Sequence, residues 1–179
     1  MGKLIGDLID FTRTHLGSGI PVHVARGNLV AVCQEVVNES RAIRPEMVIE
    51  LHSPTRLEAT FDADRIVQAL SNIIGNALQY GDRAFPVRVS VTSDDKVVVI
   101  SVNNRGPVIP PDQLSSIFDP MVRIATPADT NGSERTSLGL GLYIAREIVH
   151  AHTGQIKVES NAIDGTTFDT SIPLGQPRL

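Results

Sequence analysis

DADRIVQALSNIIGNALQYG, residues 62–81, decides how this chain folds. Ile66, Val67, Leu70, Ile73, Ile74, Ala77 and Leu78 recur at the helical period and make one broad apolar face, so a helix lying on a core is expected. Asp62 stands where an N-cap belongs. Asn72 and Asn76 are four residues apart, about 40° from each other around the axis, and both project from a flank of the apolar stripe. An amide on a helix is ordinarily solvated or caps a neighbouring loop. Two amides looking into one space need the rest of the sequence to supply a further reason.

Upstream, Leu4, Ile5, Leu8, Ile9, Phe11 and Leu16 recur at near-helical spacing until GSGIP (17–21) breaks the pattern, which predicts a helix and a linker. Leu4, Leu8, Phe11 and His15 fit a heptad seam as well as a simple docked helix. A short strand is expected at 22–24. Asn28 can then cap a helix through Leu29, Val32, Cys33, Val36 and Val37, with Cys33 in the core. MVIELHS (47–53) and LEATF (57–61) read as short strands with the turn around Pro54.

Downstream, PVRVSVTS (86–93) and KVVVISVNN (96–104) flank Asp94-Asp95 and suggest an antiparallel hairpin. Residues 121–137 lose all periodicity, as a functional loop or lid would. Helical spacing returns from Leu138 to His152, with Gly154 placed to end it. GQIKVES (154–160) and TTFDTSIPL (166–174) close the domain as two strands turning at Asp164-Gly165. Few crossover units appear. The expected fold is therefore α+β, a two-layer sandwich with one mixed, mostly antiparallel sheet and its helices on one face.

Composition narrows the function. A chain of 179 residues has room for one domain and a short appendage, and 41% apolar with 20% charged residues is ordinary for a soluble globular protein. The net charge of −4 and the lack of a basic stripe argue against nucleic acid or an anionic membrane surface as a partner. Cys33 is the one cysteine, so no internal disulfide exists and a reducing, cytoplasmic setting fits. No apolar run is long enough to span a bilayer, although a parent protein could still be membrane-anchored.

Two glycine-containing stretches carry the chemistry. In NRGPVIP (104–110), Gly106 and Pro107 turn the chain sharply after a buried strand, so Asn104 can meet a ligand edge. In SLGLGLYIAREIV (137–149), Gly139 and Gly141 stand at the mouth of a helix, whose free N–H groups and dipole favour a phosphate. Neither the dinucleotide fingerprint nor the GxxxxGK[ST] loop is present.

NIIGNALQYG (72–81), NRGPVIPPDQLSSIFDPMVR (104–123), SLGLGLYIAREIVHAHTGQI (137–156) and GTTF (165–168) occur in the order and approximate spacing of the asparagine, first glycine, phenylalanine, second glycine and closing glycine motifs of histidine kinases. From about residue 25 to 174 the chain resembles the catalytic domain of a sensor histidine kinase. The resemblance implies the Bergerat fold, shared with gyrase-like ATPases and a heat-shock chaperone, and ATP with Mg2+ as cofactors. It implies Asn76 as the magnesium ligand, Asn72 beside it in the phosphate region, and Arg123 as a phosphate-contacting arginine at the start of the lid. Tyr80 would lie near the nucleotide. Asn104 falls where the family places an Asp against the adenine amino group, and Gly106 resembles the turn glycine, with Val108 and Ile109 following among the nucleotide-binding positions. Gly139, Leu140, Gly141 and Leu142 resemble the phosphate-side hinge, and Thr167 a residue near adenine.

Three departures stand out. Asn104, as in one branch of the family, can still accept from an adenine amino group but loses a formal charge, at a cost of about 1 kcal/mol. Val108 replaces a Gly, and Met121 replaces a second Phe that it should still match by packing. Asn72 stands where gyrase-like ATPases carry a water-activating Glu; an amide is no general base near neutral pH, so hydrolysis should be slow while phosphoryl transfer to an imidazole remains open.

The family's phosphoacceptor is a His followed by an acidic residue on the first of two hairpin helices. Segment 1–20 resembles the end of the second helix and a linker, leaving 21–179 as the ATP-binding domain. His15 is followed by Leu16 and is not expected to be the acceptor. His150 and His152 do not share a face, and His23 and His52 sit in strand-like segments. The implied partners are a histidine-bearing dimerisation domain of the same parent and a response regulator. The competing readings are a degenerate nucleotide-binding module, a related serine kinase or ATPase, and a nucleotide-free scaffold.

Overall fold

The computed structural model describes residues 2–122 and 139–175, with side chains from residue 5 onward. Helix α3 (Ala63–Tyr80) forms as its periodicity requires, and Asp62 caps it by accepting from Arg65 N–H at 3.1 Å. Its apolar face, including Ile66, Leu70, Ile73, Ile74 and Ala77, is buried. That face lies between α2 (Leu29–Ile43) and α4 (Gly141–Ala151), which bury Cys33, Val36 and Val37 and Ile144, Ile148 and Val149.

These helices cover one face of a five-stranded sheet. The strands are β2 (Ile49–His52), β4 (Val87–Ser93), β5 (Val97–Asn104), β6 (Gln155–Asn161) and β7 (Gly165–Pro173), in the order β2-β4-β5-β7-β6. All neighbours are antiparallel except β2 and β4. Period-2 alternation sends Val98, Ile100, Val102, Phe168 and Ile172 into the core, while Ser101, Asn103, Thr167 and Asp169 look away from the helices. The expected α+β two-layer sandwich is the fold observed. Phe118 and Phe168 meet edge to face at 6.1 Å and close one end of the core.

Several local expectations change. The strand expected at 22–24 forms instead at β1 (Ala25–Asn28), which pairs antiparallel with β3 (Glu58–Phe61) in a separate ribbon. The segments at 47–53 and 57–61 therefore do not pair with each other. Asn28 precedes α2 without capping it; its Oδ1 accepts from Leu57 N–H at 3.1 Å, holding the ribbon together. After α4 the left-handed residue is Thr153, with φ of 56°, rather than Gly154. Gly154 is needed for space, since a Cβ there would stand 2.3 Å from Ser171 O.

Helix α1 (Gly2–His15) docks on α3 and α4 rather than standing apart. Asp10, only 4% exposed, accepts from Arg65 at 2.6 Å and from Gln68 at 3.0 Å. Thr14 accepts from the Tyr143 hydroxyl at 2.8 Å, and Phe11 meets the Tyr143 ring at 5.8 Å. Of the heptad positions, Phe11 packs against the core while Leu8 is exposed. No helix among the described residues is long and apolar enough to cross a membrane.

His152 pins the two site-forming helices together. It is buried at the C-cap of α4, where its Nε2 accepts from Asp62 N–H at 3.0 Å while Nδ1 lies 2.8 Å from Ile148 O. His152→Leu, which leaves the Asp62 N–H buried and unpaired, should lower the unfolding free energy by about 2–3 kcal/mol in urea denaturation. Burial pushes the Asp62 carboxyl up, but N–H donation from His23 and Arg65, with the charge of Arg65, outweighs it and holds the group below the usual carboxylate range. The folded chain therefore releases this proton more readily than the unfolded one. Its stabilisation should be complete above a pH of about 4 and disappear as the pH falls through the lower folded-state value. Acid titration of Asp62→Asn against the parent should show that part of the acid-induced loss removed.

Candidate nucleotide site

One row of α3 runs past the start of α4 and the end of β5, and the opening that a nucleotide reading requires would lie along it. Asn72, Asn76 and Tyr80 follow each other at four-residue intervals, so the row from Asn72 to Tyr80 spans about 12 Å along the axis. Its two ends meet different elements.

At the Asn72 end stands the first turn of α4. Asn72 is 6% exposed, and among the described residues neither its Oδ1 nor its Nδ2 has a hydrogen-bond partner. A buried amide left in this state costs about 1–3 kcal/mol. Gly141 stands against this amide: a Cβ there would lie 3.5 Å from Asn72 Cγ, at ordinary van der Waals distance. Among the described residues no side chain caps α4, and its leading N–H groups with the positive end of its dipole lie beside the unpaired amide. Leu140 is buried in the core and Leu142 packs against it, so at both positions the group available to a ligand is the backbone N–H. Gly139 takes φ of 69° to turn the chain in, and its carbonyl accepts from Met121 N–H at 3.1 Å. Asn76 is half-buried one turn farther along α3.

At the Tyr80 end the chain is equally close. A Cβ on Gly106 would stand 2.2 Å from Tyr80 O, and Asp82 N–H donates to Arg105 O at 2.6 Å, so the loop after β5 lies directly on the end of α3. Asn104, 4% exposed, closes β5 beneath this contact, with its Nδ2 3.5 Å from the place a Gly106 Cβ would take. Tyr80 is half-buried at the helix end, and Val108 is 44% exposed on the rim. Ile109 packs against the core and donates its N–H to Ser160 Oγ at 3.0 Å.

Two expectations fail here. Thr167 is not brought to this opening: it pairs across the sheet with Asn103 and accepts from its Nδ2 at 2.9 Å on the outer face. Thr166 is the residue opposite Asn104, buried on the inner face with Ser160 at 2.8 Å. The phase was available in the sequence, because Phe168 and Ile172 share parity with Thr166. Met121 does not pack in place of a second Phe; it has φ of 64° and is 61% exposed. Arg123 and most of the expected lid lie outside the described residues.

A two-layer α/β sandwich with a helix-flanked cleft of buried amides and close glycine contacts is the class that this geometry defines. Residues 61–176 match the model of the histidine kinase-, DNA gyrase B- and HSP90-like ATPases, and the chain belongs to that family. It is 32% identical over 176 residues to a bacteriophytochrome of Pseudomonas aeruginosa, covering 98% of this chain and 24% of that one. The catalytic domain of histidine kinase ThkA superposes with a TM-score of 0.70 at 26% identity, over 87% of this chain and 99% of that one. Full-length ShkA in complex with AMPPNP superposes with a TM-score of 0.76 at 26% identity, over 98% of this chain and 36% of that one. The chain spans less than half the length of the curated relatives it matches.

The glycine contacts make a paired prediction. Gly106→Ala drives a Cβ into Tyr80 O and should cost on the order of 2 kcal/mol of stability. Gly141→Ala meets Asn72 only at ordinary contact distance and should leave stability within about 0.5 kcal/mol. Thermal melts of the two variants compare them directly.

Proposed function

We propose that this chain is the ATP-binding catalytic domain of a two-component sensor histidine kinase, transferring the γ-phosphoryl group of ATP to a histidine on a dimerisation hairpin. In this reading 1–20 are the end of that hairpin and its linker, 21–179 are the catalytic domain, and a response regulator takes the phosphoryl group onward. The observation that carries it is Asn72, a buried amide that among the described residues has both polar atoms unpaired, beside a start of α4 that no described side chain caps. Such a pairing of free N–H groups with an amide suits the oxygens of a polyphosphate.

Asn104 and Thr166 would receive the base, Tyr80, Gly106, Val108 and Ile109 would border it, and Gly139 to Leu142 would offer N–H groups to the phosphates. The donor set suits a hard cation, with the Asn76 amide oxygen as the protein ligand and phosphate oxygens completing the shell. Bound there, Mg2+ would neutralise charge on the phosphates. The chain's own contribution is positioning: α3 and α4 hold their groups on packed helices rather than on a loop. Asn72 cannot take a proton from water near neutral pH, so the site favours transfer to an imidazole over hydrolysis.

Calorimetry with a non-hydrolysable ATP analogue tests the binding. Affinity should rise with Mg2+ over chelator, and Asn76→Ala should remove at least about tenfold of that gain. Radiolabelled ATP with a separate acceptor hairpin should then give an acid-labile protein phosphate. Binding without transfer would reduce the domain to a nucleotide-binding module, acid-stable phosphate would indicate a serine kinase, and rapid turnover by water would contradict the kinase reading.

A further inference from the structure

We infer that the base end of this site has no fixed preference between a 6-amino and a 6-oxo purine, so that inosine triphosphate binds alongside ATP. This rests on the nucleotide reading above and deepens it at the base alone. Asn104 is 4% exposed, and among the described residues its side chain makes no hydrogen bond, so its amide is spoken for by no neighbour. An amide presents one donor and one acceptor side by side. In one orientation Oδ1 accepts from an exocyclic amino group while Nδ2 donates to the adjacent bare ring nitrogen. Turned by half a rotation, Nδ2 donates to an exocyclic oxygen while Oδ1 accepts from a ring N–H. Both purine edges are matched in full. A carboxylate at this position would only accept, and would repel the oxo group.

The surroundings add no opposing bias. Thr166, directly across from Asn104, shares a 2.8 Å hydrogen bond with Ser160 in which either hydroxyl can be the donor. Ser160 Oγ accepts from Ile109 N–H on its other side, so the shared proton is free to run in either sense. Asn104, Thr166 and Ser160 are all uncharged. Arg105, the next residue along, is exposed and stacks over the Phe85 ring at 4.9 Å, which takes its charge away from the opening. Discrimination between substrates that differ in one polar group is large only where mismatch leaves a buried group unpaired. Here neither edge does so.

Competitive displacement of a non-hydrolysable ATP analogue by ATP and by inosine triphosphate, with Mg2+ present, tests this on the parent chain and on Asn104→Asp. The parent should bind the two triphosphates within about tenfold of each other. In Asn104→Asp the preference for ATP should widen by a further factor of about ten or more. A parent that rejects inosine triphosphate by more than about 100-fold, or a folded Asp variant whose preference does not widen, overturns the inference. Should the variant fail to fold, the parent's ratio decides alone. If ATP itself does not bind, the nucleotide reading fails and this inference with it.

Discussion

Helix α3 has to bury one face in hydrocarbon and keep the adjoining row polar, and the molecule is arranged around that double demand. Ile66, Leu70, Ile73 and Ala77 sit on the sheet, while Arg65, Gln68, Asn72 and Asn76 follow the neighbouring row. Burial of the first group fixes the rotation of the helix, and that rotation aims the second. The polar row then divides by partner. Arg65 and Gln68 are satisfied by Asp10 of α1, whereas the Asn72 amide, two turns from Arg65, is left with nothing among the described residues. A core that satisfies one half of a row and strands the other half leaves that row's unmet hydrogen-bonding capacity at the Asn72 side.

Glycines mark three close approaches on or beside this row. At Gly141 a helix start stands against Asn72, and at Gly106 the absent side chain lets a loop lie on the last turn of α3. At Gly165, with φ of 84°, the turn between β6 and β7 passes against the backbone of Asn104. The Asn72 end and the Tyr80 end are thereby referred to one rigid element. The separation between them is set by the helical rise and not by loop conformation.

Much of this was legible in the residue pattern, and the failures have specific causes. Helices α2, α3 and α4 and both hairpins follow from strong periodicity, since each buries a continuous apolar face. The pairing of β2 with β4 and of β1 with β3 did not follow, because four-residue strands carry no information about their partners. Asn72 and Gly141 stood out because an amide on a core flank and glycines at a helix mouth are costly unless used, and the structure sets the two against each other. Thr167 was chosen over Thr166 by motif position when strand parity pointed the other way. The Asp10 to Arg65 contact spans 55 residues and has no local signature at all. His152 likewise reads as a surface histidine after a helix until Asp62 is found beneath it.

The His152 contact with Asp62 gives α3 and α4 the mechanics of tweezers. The two helices are fastened at the C-terminal end of α4, and at its N-terminal end Gly141 rests against Asn72. From His152 to Gly141 the arm is about 16 Å long. A swing of only about 5° about the fastening displaces the tip by about 1.4 Å, comparable to the radius of a water molecule. A tilt that small about the fastened end would change the contact at Asn72 by a distance that matters chemically.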